Sequence, residues 1–137
     1  MKLSTKGRYG LRALADLAIH AGEGPVSVAS IAQRQNISDN YLESMFATLK
    51  HANIVRSVKG AGGGYMLVNV PADINIGEVL RVLEGDLSIV DSTLTDEDIR
   101  QKSLRFFLET SVWDEVTTKI NDVVDNLTLK DLMERPQ

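Results

Sequence analysis

The chain contains no cysteine. That single absence excludes disulfides, thiolate zinc sites, cysteine-ligated iron–sulfur clusters and a cysteine nucleophile. Long apolar runs are missing too, since no stretch approaches the roughly 20 residues needed to cross a bilayer. The opening Met1-Lys2-Leu3-Ser4-Thr5-Lys6 lacks the apolar core of a signal peptide, so a cytoplasmic location without membrane association is expected. There is no internal repeat and no low-complexity tract. Nor does any arrangement suggest a serine, histidine and acid triad or a pair of catalytic carboxylates, and the chain is not expected to be an enzyme. His20 and His51 are far apart and fit no metal-ligand spacing, which makes each a surface or boundary residue. No cofactor is expected.

What is present suits one compact unit with a real core: 137 residues, 43% hydrophobic and 25% charged. The net charge of −4 seems unsuited to a polyanionic partner until the chain is divided at Pro71. Residues 1–70 carry eight Lys or Arg against four acids, whereas residues 71–137 carry seven against fifteen. A basic front joined to an acidic rear implies that the front alone meets an anion.

Helical periodicity begins after the candidate caps Ser4 and Thr5 and runs to Gly22, with Leu11, Leu14, Ala18 and Ala21 on one side. Gly22-Glu23-Gly24-Pro25 breaks it. Ser27 then caps a short helix with Val28, Ile31 and Ala32 inward, ending near Gln35. Asn36 tolerates the left-handed conformation, and Ser38 is a second cap only eleven residues after the first. Two short helices joined this tightly form a helix-turn-helix candidate. The third helix, Asp39 to about Ala52, turns Leu42, Met45, Phe46 and Leu49 inward and presents Asp39, Asn40, Glu43, Ser44, Ala47 and Lys50 outward. Tyr41 lies at the edge between the two faces.

A β-hairpin is predicted next, with Ile54–Val58 and Tyr65–Val68 flanking the glycine-rich Lys59-Gly60-Ala61-Gly62-Gly63-Gly64. This run joins two strands and lacks the terminal Gly-Lys-Ser/Thr of a P-loop, which argues against a nucleotide cradle. It reads either as glycines that let backbone approach DNA or as a flexible hairpin tip. Asn75 and Glu78 have capping spacing before a fourth helix that stops at Gly85, and residues 86–94 read as a loop.

From Thr95 to Leu127 the pattern is again helical, with Ile99, Phe106, Trp113, Ile120 and Leu127 every seven residues and Val116, Val123 and Val124 widening the stripe. A helix of about 32 residues is roughly 48 Å long, longer than the diameter of about 37 Å expected for a compact chain of this size. One end then projects, and its apolar seam needs cover. A homodimer joined through Ile99, Phe106, Trp113, Val116, Ile120, Val123 and Leu127 is expected; the alternative is a break near Thr110-Ser111 that folds the helix back. Thr128 with Asp131 caps a last short turn.

The expected architecture is mainly α with a small β-hairpin wing. Residues 1–70 form a winged helix-turn-helix region and residues 71–137 the fourth helix, loop, long dimerisation helix and terminal turn. In such an arrangement the third helix enters the major groove. Glu43 can accept from a cytosine amino group, Asn40 can bond an adenine edge and Ser44 can serve either; taken alone, Glu43 reads equally as a solvated surface acid. Lys2, Lys6, Arg8, Arg34, Lys50 and Arg56 are placed to neutralise phosphates. Ser27, together with Lys59, Gly60, Ala61 and Gly62 of the wing, completes the candidate DNA surface. A protein-interaction module that binds a partner enzyme through the acidic rear half is the alternative.

Three segments carry a family resemblance: Leu3-Ser4-Thr5-Lys6-Gly7-Arg8-Tyr9-Gly10-Leu11, Ile37-Ser38-Asp39-Asn40-Tyr41-Leu42-Glu43 and Lys59-Gly60-Ala61-Gly62-Gly63-Gly64-Tyr65. With Ile76-Gly77-Glu78-Val79 and Thr128-Leu129-Lys130-Asp131-Leu132 they resemble the Rrf2 family of bacterial transcription regulators along nearly the whole chain. The resemblance implies a homodimer that binds an inverted-repeat operator in double-stranded DNA, usually as a repressor. It also implies that Ser38, Asn40, Tyr41, Glu43 and Ser44 sit at the DNA, with the wing in the flanking groove. Many members hold an iron–sulfur cluster with cysteines between the fourth and the long helix. The corresponding loop here, about Gly85 to Lys102, has none, so the chain is similar to the cysteine-free branch, for which the resemblance implies a regulatory partner protein.

Overall fold

Short polar side chains set where the helices begin. In the computed structural model, which describes residues 3–90 and 93–134, Ser4, Ser27, Ser38, Asn75, Thr95, Ser103 and Thr128 each accept a backbone N–H from the turn they open. The front region comprises α1 (Thr5–His20), α2 (Val28–Gln35) and α3 (Asp39–His51), followed by an antiparallel hairpin of β1 (Val55–Val58) and β2 (Gly64–Leu67). Val55 pairs with Leu67 and Val58 with Gly64. Behind it come α4 (Ile76–Glu84), α5 (Asp96–Gln101), α6 (Leu104–Leu108), a π-helical turn (Glu109–Trp113), α7 (Asp114–Asp125) and α8 (Leu129–Met133).

Asn36 takes the left-handed conformation (φ 55°) between α2 and α3, and Ile37 is buried immediately after it, which anchors the turn. The inward stripe of α3, Leu42, Met45, Phe46 and Leu49, is buried as its period predicts. These side chains meet Leu14 and Leu17 of α1, Ile31 of α2, Val79 of α4 and Leu129 of α8 in one cluster, each contributing about 1.5–3 kcal/mol of burial. Front and rear regions therefore share a core. An isolated bridge between Asn75 and Thr128, with Ile76 N–H donating to Leu127 O (2.9 Å) and Leu129 N–H to Ile74 O (2.9 Å), ties the end of α7 to the start of α4.

The expected unbroken helix from Thr95 to Leu127 is divided. The Thr95–Asp98 capping box does form, but α5 ends at Lys102, which turns left-handed (φ 49°). Ser103 then accepts Phe106 N–H to open α6, while its hydroxyl donates to Asp98 Oδ1 at 2.9 Å. A serine is compatible with a helical seam and equally with a cap, so periodicity alone runs through the break. From Leu104 the helix continues through the π-helical turn to Asp125, about 22 residues and about 33 Å. At the alternative break point, Thr110 Oγ1 donates to Phe106 O (2.9 Å) inside that turn, and the helix widens without folding back.

The division corrects the seam. Ile99 stands on α5, cut off from the later positions, and Leu127 packs with Val124 against the core of its own chain. Phe106, Val116 and Ile120 are half-buried, while Trp113 and Val123 are exposed. Leu104 (74% exposed), Phe107 (61%) and Leu108 also face outward, apolar positions that the seven-residue spacing did not select. Among the described residues no helix is long and apolar enough to cross a membrane.

Phe46 is fully buried and stacks on Tyr65 with centroids 4.8 Å apart, so it joins α3 to the wing. Phe46→Ala should lower stability by about 3–5 kcal/mol, read as a fall in the urea midpoint with an unchanged slope. A loss below about 1 kcal/mol would show that this stack does not hold the wing to α3.

Candidate nucleic-acid interface

The outer face of α3 is held outward by what its inner face buries. Ser38, Asn40, Glu43, Ser44 and Lys50 are all exposed. The side chains of Asn40, Glu43 and Ser44 form no hydrogen bond or ion pair among the described residues, so their donors and acceptors are open to a partner. Tyr41 resolves to the structural side of its edge position. It is half-buried, its hydroxyl lies 2.7 Å from Thr5 Oγ1, and its ring meets Tyr9 edge-on with centroids 6.1 Å apart. That contact places the start of α1, with exposed Lys6 and Arg8, beside α3.

Arg8 and Arg12 stack over the opposite partner of the pair, with guanidinium carbons 5.7 Å and 5.1 Å from the Tyr9 centroid. Arg12 also donates to Gln35 O (2.8 Å), satisfying a carbonyl at the end of α2.

Asp16 of α1 is buried, at 3% exposure. Arg34 holds its carboxylate through Nε (3.0 Å to Oδ2) and Nη2 (2.7 Å to Oδ1), and Gln35 Nε2 donates to Oδ2 at 2.7 Å. His20 Nδ1 lies 3.5 Å from Oδ1. Burial pushes the Asp16 carboxyl up, but the hydrogen bonds from Arg34 and Gln35 and the charges of Arg34 and His20 outweigh it and hold the group below its ordinary value. Arg34, expected at phosphate, is thus engaged in clamping α2 against α1, although a third of its side chain still reaches solvent.

The wing is docked by backbone. Val26 N–H donates to Tyr65 O (3.0 Å) and Tyr65 N–H to Val26 O (2.9 Å). A Cβ on Gly64 would lie 2.1 Å from Val26 O, so only glycine permits this approach. At the tip, Gly60 (φ 96°) and Gly62 (φ 77°) take conformations that side chains rarely adopt, and Lys59, Gly60, Ala61 and Gly62 are exposed. Arg56 is exposed on β1. An open polar cleft of about 310 Å³ lies between the tip and the start of α2, lined by His20, Ser27, Ser30, Arg34, Gly62 and Gly63. Lys2 lies outside the described residues.

The structure therefore brings the α3 face, the start of α1, the start of α2 and the wing tip around one another. Asp16, Gln35, Arg12 and Thr5 went unselected in the sequence. Asp16 carried a signal, since an acid set between Ala13 and Leu17 on the buried side of an amphipathic helix needs a partner.

The family description "Rrf2: Iron-dependent Transcriptional regulator" matches residues 3–135. The HTH-type transcriptional regulator CymR of Bacillus subtilis is 43% identical over 96% of this chain and 89% of its own. The HTH-type transcriptional regulator IscR of Aliivibrio salmonicida is 39% identical over 97% of this chain and 77% of its own. Among solved structures, that of CymR, described as the global cysteine regulator of B. subtilis, superposes with a TM-score of 0.81 over 100% of this chain and 99% of that one, at 40% identity. The structure of T. potens IscR superposes with a TM-score of 0.77 over 100% and 93%, at 43% identity. These relatives are named as regulators of transcription, not as enzymes.

The iron in the family description does not fit this chain as a thiolate-held cluster. There is no cysteine, and among the described residues no three His, Asp or Glu gather as a metal site.

Asp16→Asn keeps the shape of the clamp and removes its charge. At neutral pH the variant should lose about 3 kcal/mol, the low end for a broken buried pair because Arg34 reaches solvent. A depressed native pKa makes the carboxylate's contribution complete above the ordinary carboxyl range near about pH 4, and lost as pH falls through the native value. Urea midpoints of the two proteins should converge in acid, and a gap that persists to about pH 2 would contradict the pairing.

Proposed function

The chain belongs to the Rrf2 family of transcriptional regulators, and from that premise we propose that it binds an inverted-repeat operator as a homodimer and represses the genes beside it. It is a DNA-binding regulator with a winged-helix fold. The observation that carries the finer reading is the unpartnered polar face of α3, flanked by exposed cations from three other elements.

In this reading α3 enters the major groove. Asn40 bonds an adenine edge, Glu43 accepts from a cytosine amino group, and Ser44 serves either base. Lys6, Arg8, Lys50, Arg56 and Lys59, with Lys2, neutralise phosphates. Ser27 and the wing glycines Gly60 and Gly62, with Ala61 between them, let backbone N–H groups reach a flanking phosphate, and Arg34 acts there only with the charge that Asp16 leaves it. Ser38 and Tyr41 position the helix. An acid near phosphates is unfavourable unless a donor meets it, which makes Glu43 the residue for discrimination and the cations the source of affinity.

The homodimer reading rests on the apolar side chains left exposed from Leu104 to Val123, with Phe107, Leu108 and Trp113 between them. An apolar stripe of that length calls for a second copy to cover it. The acidic rear surface supports a regulatory partner protein as well. Given the relative described as a global cysteine regulator, genes of sulfur amino-acid metabolism are the natural place to look for the operator.

Binding to the region upstream of its own gene should weaken by about 10³–10⁵ between 50 and 200 mM salt if the dimer neutralises about 6–10 phosphates. Glu43→Ala should lose about 1–3 kcal/mol of discrimination at one base-pair position while its affinity for unrelated DNA is unchanged or higher. Salt-insensitive binding, or equal affinity of the natural protein for every duplex, would falsify the reading.

A further inference from the structure

A second opening, of about 210 Å³, lies where the loop after α4 meets the long helix, lined by Val90, Thr93, Arg105, Leu108, Glu109 and Trp113. None of these residues belongs to the proposed DNA surface. Its helical wall is irregular. The π-helical turn Glu109–Trp113 contributes both of its end residues to the lining. Such turns are rare because they disturb the hydrogen-bond ladder, and they recur at functional sites.

The walls carry opposite charges that do not neutralise each other. Arg105 donates through Nη2 to Thr93 O (2.9 Å) and to the Thr93 hydroxyl, and its ion pair runs to Asp98 at 3.8 Å. Glu109 stands one helical turn further on. Its side chain is half-buried yet forms no hydrogen bond or ion pair among the described residues, with Arg105 or any other group. A partly desolvated carboxylate without a donor is unfavourable and favours an incoming cation. The guanidinium has five N–H donors and keeps some for an incoming anion. Between the two charges the wall is apolar, formed by Val90, Leu108 and Trp113, and the opening is smaller than the roughly 300–1,000 Å³ of sites for larger ligands.

We propose that this opening binds a free α-amino acid with an apolar side chain, its carboxylate on Arg105, its ammonium on Glu109 and its side chain against Trp113 and Leu108. The site is also wired to the front of the molecule. Ile89 N–H donates to Thr117 Oγ1 (3.1 Å) and Asn121 Nδ2 to Leu87 O (3.2 Å), which fastens the loop to α7. Arg81 of α4 donates to Asn121 (2.6 Å) and Asp125 (2.8 Å). At the other end of α4, Glu84 accepts from Ser4 N–H (3.0 Å) and Gly7 N–H (2.8 Å), beside Lys6 and Arg8. An amino acid that displaces Val90 or Trp113 therefore acts on the seating of α1, and this regulatory consequence rests on the DNA-binding reading, whereas the binding itself does not.

Trp113 is the sole tryptophan, so its emission reports directly on the site. The full-length protein, without DNA, is titrated with valine, leucine, isoleucine, methionine and phenylalanine, each beside its analogue lacking the ammonium and its analogue lacking the carboxylate, with calorimetry to detect binding that leaves the emission unchanged. A saturable signal is expected for at least one amino acid, with each truncated analogue about tenfold weaker or worse, the loss of one charged hydrogen bond. Arg105→Gln and Glu109→Gln should each weaken binding by a similar factor of about ten while melting temperature and ligand-free DNA affinity stay unchanged. No binding by any of the five, equal binding of the truncated analogues, or undiminished binding by both variants overturns the proposal and leaves the DNA reading untouched. Loss of DNA binding with amino-acid binding intact does the reverse.

Discussion

The buried carboxylate of Asp16 is the constraint from which the DNA-facing geometry follows. An ionised acid at 3% exposure is tolerable only with full hydrogen bonding, and its donors, Arg34 and Gln35, both come from the last turn of α2. The pair therefore fixes how α2 lies on α1. Through the short turn at Asn36 it also limits where α3 can start. Apolar packing alone would press α2 against the core without selecting its register, because buried Val28, Ile31 and Ala32 offer no directional contact. The α1–α3 contact between Tyr9 and Tyr41 then sets the tilt of α3 from the other side.

The rear half contributes geometry of a different kind. The bridge between Asn75 and Thr128 and the bonds from Arg81 to Asn121 and Asp125 bind the long helix to α4, which in turn packs on α1. A pair of reading helices is useful only at a fixed separation, and this chain of contacts transmits the position of the long helix to the front. The charge division along the sequence matches the arrangement, with cations around α3 and acids on the elements that face away from a polyanion.

What could be read from the sequence was whatever depends on neighbours a few residues away. Ser27, Asn36 and Ser38 announce two helices and their turn because a cap bonds its own first turn and an asparagine tolerates a positive φ by itself. The inward stripe of α3 follows from period alone. Contacts between distant positions were not readable in that way. Arg34 looked like a free cation because its partner lies 18 residues earlier on another helix. Tyr41 could not be assigned to either face until Thr5 and Tyr9 were seen beside it. The break at Lys102 was hidden by Ser103, a residue at ease both within a helix and at its start, and with the break unseen, Ile99 was carried onto the wrong element. Leu127 kept the seven-residue spacing while belonging to the core. Leu104, Phe107 and Leu108 were missed for the opposite reason, since the seam they extend begins only after the break.

The central claim is that two copies present paired α3 faces to one side of a duplex. Hydroxyl-radical footprinting and methylation interference on a duplex selected from random sequence by the natural protein test it most directly. Two symmetry-related patches of major-groove contact, centred one helical turn of about 10–10.5 base pairs or a multiple of it apart, are expected, with two protein chains bound per duplex. A single patch bound by one chain, or uniform protection along the duplex without a dyad, would contradict it.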